Sequence, residues 1–239
     1  MSGHSKWSTI KREKGAKDAK RGAIFTQIGN LIAIAARSGT DPSMNSGLAM
    51  AIEKAKQANM PAANIQRAID RVTDKNAAVL EETTYEGIGP GGIGIIIETA
   101  TDNKNRTFPE VRSTLTKNGG RVADSGSVTF QFTRKGVIRV EASGEDALLT
   151  ILDAGAEDAS EDDGEIIVYT EQKELAKIRQ VLIDSGMVIK EADLQYIPNG
   201  PVVIDDVDVA TRILKLLDAL DDLDDVVGIH TNAEITAEI

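Results

Sequence analysis

The stretch Val207-Asp208-Val209-Ala210-Thr211-Arg212-Ile213-Leu214-Lys215-Leu216-Leu217-Asp218-Ala219-Leu220, followed by Val226-Val227-Gly228-Ile229-His230-Thr231, decides how this chain is partitioned. Its apolar positions recur at the spacing of a helix face, and the second run reads as a short strand. One helix and one strand cannot bury a core unaided, so they need a host elsewhere in the chain. Upstream, Tyr85 to Gly87 is short and extended, Ile93 to Ala100 is a strand, Arg106 to Asn118 is helical and Val128 to Phe132 is a second strand. That fragment lacks one helix and one strand. Residues 81–134 and 201–239 are therefore expected to form one discontinuous α+β domain.

The intervening residues 135–200 are complete in themselves. A strand at Val137 to Glu141, a helix at Glu145 to Asp153 and a hairpin around Ala159 and Ile166 to Tyr169 come first. A helix at Glu174 to Ser185 and a strand near Val188 to Ile197 finish a βαββαβ order. They read as an inserted α+β domain.

The N-terminal part has a different period. From Ala16 to Arg37, residues Ile24, Phe25, Ile28, Leu31, Ile32 and Ala35 predict an amphipathic helix that Ser38-Gly39 stops. A second helix carries Leu48, Ile52 and Ala55 on one side. Met60-Pro61 breaks the chain, and a third helix turns Ile65, Ile69 and Val72 inward. Residues 1–80 thus form a basic helical domain. The fold class is multi-domain α and α+β: a helical bundle plus two ferredoxin-like α+β domains, one inserted in the other.

Charge is segregated along the same boundaries. The chain of 239 residues has a net charge of −11. Residues 1–80 carry 13 Lys and Arg against 6 Asp and Glu, and residues 136–239 carry 7 against 25. An arm that meets a polyanion and a body that repels it fit this polarity. The absence of cysteine excludes disulfides, thiolate catalysis and cysteine-based zinc sites, and two histidines leave little for a triad or metal centre. Eight aromatic residues argue against a broad base-stacking platform. No apolar run approaches the roughly 20 residues of a membrane span, and no apolar stretch follows the basic N-terminus as in a signal peptide. A cytoplasmic location is the expectation.

Lys6, Lys11, Arg12, Lys14, Lys17, Lys20 and Arg21 can release counterions from a nucleic-acid backbone, while His4, Ser5 and Trp7 add polar and stacking groups. The bland alternative is a solvated tail, with Glu13 and Asp18 pairing at helical spacing with Lys17 and Lys14. Gly87-Ile88-Gly89-Pro90-Gly91-Gly92 matches G-x-G-x-x-G, but a strand follows it where a dinucleotide site needs a helix, so a structural or partner-binding turn is expected. Either Asn105 or its neighbours cap the helix from 106, or Asn103, Asn105 and Arg106 present a hydrogen-bonding surface to a partner, capping being the safer expectation. The acidic cluster at 161–163 fails the calcium-loop spacing. Asp205 and Asp206 read as helix N-terminal charges, and Asp221 to Asp225 as solvated surface. His230 reads as a packed or half-exposed strand residue.

Gly3-His4-Ser5-Lys6-Trp7, Asp18-Ala19-Lys20-Arg21-Gly22, Asn59-Met60-Pro61, Tyr85 to Gly92, Asp102 to Thr107 and Gly126-Ser127-Val128 together resemble the YebC/PmpR family nearly end to end. The resemblance implies three domains, with a helical head and two α+β domains around a cleft. It implies work in gene expression, members being described as DNA-binding transcriptional regulators and others, including a mitochondrial translational activator, as ribosome-associated translation factors. Ala23 stands where many members have a basic residue, and Glu13 interrupts the basic run, which implies a weaker arm. The expected function is a non-enzymatic nucleic-acid-binding regulator of transcription. The alternative is a ribosome-associated factor or translational activator binding structured RNA, and a protein adaptor is the weaker third reading. The expected partners are DNA or structured RNA at the head and a protein at the cleft, the candidate partner-binding residues being Gly89, Pro90, Gly91, Gly92, Asn103, Asn105 and Arg106. No cofactor, metal, membrane or small-molecule substrate is expected.

Overall fold

Helix α1 runs Asp18–Ala35 and passes into a short 3-10 turn at Ala36–Ser38. The computed structural model describes residues 18–74, 77–162 and 164–237. Helices α2, Ser46–Gln57, and α3, Ala62–Asp70, complete the head. Their apolar faces close on Ile28, Ile32, Leu48, Ala55, Met60, Ile65 and Ile69. Asn45 joins two of these elements. It accepts from Leu48 N as the N-cap of α2 and donates to the carbonyls of Ala35 and Gly39. At the other end Asn59 takes the left-handed conformation, φ 57°, while its N–H reaches Lys56 O and that of Met60 reaches Ala55 O. This is a Schellman stop, with Met60 packed as the apolar residue beyond it. Val72 corrects the sequence expectation: it lies past the end of α3 and is 38% exposed, because the helix stops at Asp70.

Strands β1, Glu81–Ile88, and β2, Gly94–Thr101, form an antiparallel hairpin in the register Ile88 opposite Gly94. Helix α4, Lys104–Lys117, and strand β3, Arg121–Ala123, follow, and β3 pairs with β1. The chain returns much later through β8, Val202–Ile204, α7, Val207–Asp221, β9, Val226–Thr231, and β10, Ala233–Ile235. The sheet order is β3-β1-β2-β9. The late helix and strand thus complete a sheet begun more than a hundred residues earlier. One side of that sheet packs Ile95 and Ile97 against Val111, Leu115, Ile213, Leu216, Leu217 and Leu220 of α4 and α7. Helix α1 packs against β2 and β9. This explains why β2 is buried along nearly its whole length, with Ile96 as buried as its neighbours.

Between the two halves, Thr133–Ile197 make a second compact unit. Strand β4, Phe132–Glu141, helix α5, Glu145–Asp153, and strands β5, Asp158–Asp162, and β6, Glu165–Thr170, are followed by helix α6, Leu175–Asp184, and strand β7, Val188–Pro198. Their sheet order is β5-β6-β4-β7, with β4 and β5 both antiparallel to β6. The head and the sheet of β1, β2, β3 and β9 belong to one compact unit, so the fold is mixed, multi-unit and α+β.

Two further corrections concern strands. Val128 to Phe132 is not a strand: a 3-10 turn occupies Thr129–Gln131, and β4 begins only at Phe132. The carboxylate of Glu86 accounts for this by accepting from the N–H groups of Gly126, Val128 and Thr129 at 2.6, 2.6 and 2.9 Å. Backbone donors spent on a side chain are not offered to a ladder. Strands β8 and β10, which pair in parallel, are too short for periodicity to reveal.

Candidate functional site

The residues expected to meet nucleic acid fall largely at the N-terminus. His4, Ser5, Lys6, Trp7, Lys11, Arg12, Lys14 and Lys17 lie outside the described residues. Lys20 and Arg21 lie on the backbone of α1, and their side chains are likewise outside the description.

The glycine turn is structural along most of its length. Gly89 and Pro90 are buried, whereas Gly91 and Gly92 are exposed. Gly91 and Gly92 have φ of 73° and 79°, and a Cβ on Gly91 would stand 2.9 Å from Ile204 Cδ1. The turn is thereby pressed against the returning C-terminal segment.

Asn103 is the N-cap of α4, accepting from Arg106 N at 3.2 Å, while Asn105 is exposed on the first turn. Arg106 has the richest surroundings. Its Nη2 donates to both oxygens of Asp225, at 3.0 and 2.8 Å, and lies 3.4 Å from Asp102. Asp225 also accepts from the hydroxyls of Thr101 at 3.0 Å and Thr107 at 2.6 Å. Burial pushes the Asp225 carboxyl up, but the hydrogen bonds from Thr107, Arg106 and Thr101 outweigh it and hold the group below its ordinary value. Arg106 is correspondingly held above its ordinary value, chiefly by its bond to Asp225.

The network continues into the head. Arg71, at the end of α3, lies 3.5 Å from the other oxygen of Asp102, and its Nη1 donates to Asn30 Oδ1 at 3.4 Å. Asn30 donates to Ala100 O at 3.2 Å, and Gln27 donates to the carbonyls of Asp221 and Leu223 at 2.7 and 3.1 Å. The Arg37 guanidinium donates to Leu80 O. Charges alternate Arg71, Asp102, Arg106, Asp225 along the rim of a hollow of about 470 Å³. This arrangement can fix the head on the sheet; it leaves Asp225 with its acceptor capacity spent on three side chains.

Asp225 corrects the reading of Asp221 to Asp225 as solvated surface, since it is 6% exposed. The sequence offers no signal that singles it out from three neighbouring aspartates. Gln27 and Asn30 had one: they are uncharged polar residues interrupting the apolar side of α1. His230, in β9, lies with Nε2 2.9 Å from Glu98 Oε2 in β2, a cross-strand contact in keeping with a packed strand histidine. Among the described residues no group of three or more His, Cys, Asp or Glu is placed to hold a metal ion, and no helix is long and apolar enough to cross a membrane.

Comparison with known proteins accounts for nearly the whole chain. A family model described as TACO1/YebC protein N-terminal domain matches residues 5–75, and one described as TACO1/YebC second and third domain matches residues 80–233. A protein of Moorella thermoacetica named probable transcriptional regulatory protein is 46% identical, the alignment covering 100% of this chain and 98% of that one. A protein of the same name from Persephonella marina is 47% identical, again covering 100% and 98%. The crystal structure of a conserved hypothetical protein from Aquifex aeolicus superposes with a TM-score of 0.89 at 40% identity, covering 98% of this chain and 99% of that one. The motifs between residues 3 and 128, the two family models and the full-length relatives agree: the chain belongs to the TACO1/YebC family.

Proposed function

We propose that the protein is a non-enzymatic, cytoplasmic, nucleic-acid-binding regulator of gene expression that holds its polyanion at the basic head. The observation that carries this reading is the charge segregation, 13 cations against 6 carboxylates in residues 1–80 and 7 against 25 in residues 136–239. The environments of the buried carboxylates support a structural role. Glu86 and Asp225 are both held below their ordinary values by donors, whereas a general acid near neutral pH needs a raised carboxyl. The names of the relatives support a role in transcription, and on this reading the polyanion is DNA.

A second reading, structured RNA or the ribosome, draws support from helix α3. It follows α2 after a turn at 58–61, a spacing shared with helix-turn-helix proteins. The polar side chains a recognition helix would present are engaged along the helix: Gln66 donates to Asp70 and Arg67 to Asn64. Association with duplex DNA of varied sequence and with purified ribosomal subunits, at one physiological salt concentration, separates the two. A transcription factor prefers its site over random duplex by at least about 10³. Such a preference without ribosome association selects DNA; saturable ribosome binding with weak sequence-blind DNA binding selects RNA; no binding to either rejects the function.

A further inference from the structure

We propose that the solvent-facing side of α4 is a contact site for an unpaired RNA strand, with Phe108 stacking on a base and Arg112 and Lys117 holding adjacent phosphates. The proposal rests on the RNA form of the function above and adds to it a contact outside the basic head.

Phe108, Pro109, Arg112, Ser113, Thr116 and Lys117 line one open hollow of about 470 Å³. They occupy two neighbouring rows on the helix, 108-112-116 and 109-113-117, with about 6 Å of rise between successive positions in each. The lining contains two cations, two hydroxyls, an aromatic ring and a proline, and no carboxylate. In a chain of net charge −11 this composition is complementary to an anion.

The cations of α4 divide along its length, those of the first turn being paired and the later ones not. Lys104 pairs with Glu81 at 2.6 Å and Arg106 with Asp225 at 2.8 Å. Arg112 and Lys117 make no ion pair or side-chain hydrogen bond with the described residues. Lys117 complements the negative end of its helix, but Arg112 sits mid-helix, where the dipole gives it no such role.

Phe108 supplies the second half of the argument. It is 39% exposed, although its ring is steadied by Tyr85, with centroids 5.6 Å apart and planes tilted by 41°. A ring held by a neighbour and open to solvent loses little freedom on stacking. Paired duplex offers it no free base face, whereas loops, bulges and ends of RNA do. Ser113 can donate to phosphate or exchange hydrogen bonds with a 2′-hydroxyl, whereas the Thr116 hydroxyl donates to Arg112 O at 2.8 Å and is left to accept from a 2′-hydroxyl.

The test uses the intact protein with an RNA hairpin bearing an unpaired loop and a fully paired RNA duplex as probes. Phe108→Leu is expected to weaken hairpin binding roughly tenfold and leave duplex binding unchanged, with Phe108→Trp restoring it. The double variant Arg112→Gln, Lys117→Gln is expected to flatten the salt dependence of hairpin binding by about 1.4 in slope. Thermal melting of each variant checks that it folds, and the tryptophan variant separates stacking from packing. If the α4 variants bind like wild type while neutralising the head abolishes binding, the site is overturned and the proposed function stands. Equal losses on hairpin and duplex overturn the stacking role. Binding of polyglutamate as tight as RNA, and lost in the same variants, assigns the face to an acidic protein. Binding by the wild-type protein to duplex DNA alone, or to no nucleic acid, overturns this site and the RNA reading together.

Discussion

Arg106 Nη2 in α4 bridges both carboxylate oxygens of Asp225, at 3.0 and 2.8 Å, across 119 residues of sequence. The pair ties the first half of the discontinuous sheet to its returning strand. Because Asp225 is buried and Arg106 is half exposed, removing the acid leaves Thr101 and Thr107 without their shared acceptor, while Arg106 regains water. Asp225→Ala is expected to cost about 2–3 kcal/mol and Arg106→Gln about 1 kcal/mol. Denaturant midpoints measure both. Equal and negligible shifts would show that the pair is ornamental.

Two buried carboxylates give the stability a direction in pH. Glu86, opposed by burial but held by the N–H groups of Gly126, Thr129 and Val128, lies below its ordinary value, as does Asp225. For a carboxyl lowered on folding, the unfolded chain binds protons first, so the contribution is complete above the unfolded value near about 4 and fades as pH falls through the folded value. Urea midpoints between neutral pH and about pH 3 should therefore drop more steeply for wild type than for Glu86→Gln or Asp225→Asn. Parallel slopes would contradict the assignment.

The turn at Gly91 and Gly92 separates backbone strain from contact. Both residues have positive φ, but only Gly91 has a neighbour in the path of a Cβ, with Ile204 at 2.9 Å and Val209 at 3.1 Å. Gly92→Ala is expected to cost about 1 kcal/mol from strain alone, and Gly91→Ala about 1–3 kcal/mol more. Thermal melts of the two variants rank them, and the reverse order would reject this account of the turn.

Asn59 closes α2 in the left-handed region. Asn59→Gly should leave stability unchanged or raised by a few tenths of a kcal/mol, whereas Asn59→Ala should lower it by about 1 kcal/mol. Chemical denaturation distinguishes a backbone role from a side-chain one.

Long periodic elements were legible because their burial is one-sided. Helix α7 and strand β9 fall where the apolar spacing of 207–220 and 226–231 indicates, and the need for a host follows from their size. The turn at 129–131 was not legible, since Val128 to Phe132 has strand composition and only the distant Glu86 diverts its N–H groups. Strands β8 and β10 are three residues each, below the length at which alternation carries information. At the candidate site, a cap at Asn105 or its neighbours was readable from local sequence, although the helix starts at Lys104 and the cap falls on Asn103; Asp225 was not readable. Four aspartates in a five-residue stretch look equivalent until Thr101, Arg106 and Thr107 select one of them.

The most direct measurement of the central claim is the salt dependence of nucleic-acid binding by the full-length protein and by a variant in which Lys6, Lys11, Arg12, Lys14, Lys17, Lys20 and Arg21 are all changed to Gln. With about four to six of these cations on phosphates, log K against log salt should have a slope of roughly −3 to −5 for wild type. The variant should remain folded and lose binding. A wild-type slope near zero, or undiminished binding by the folded variant, would contradict the assignment of the basic head as the nucleic-acid contact.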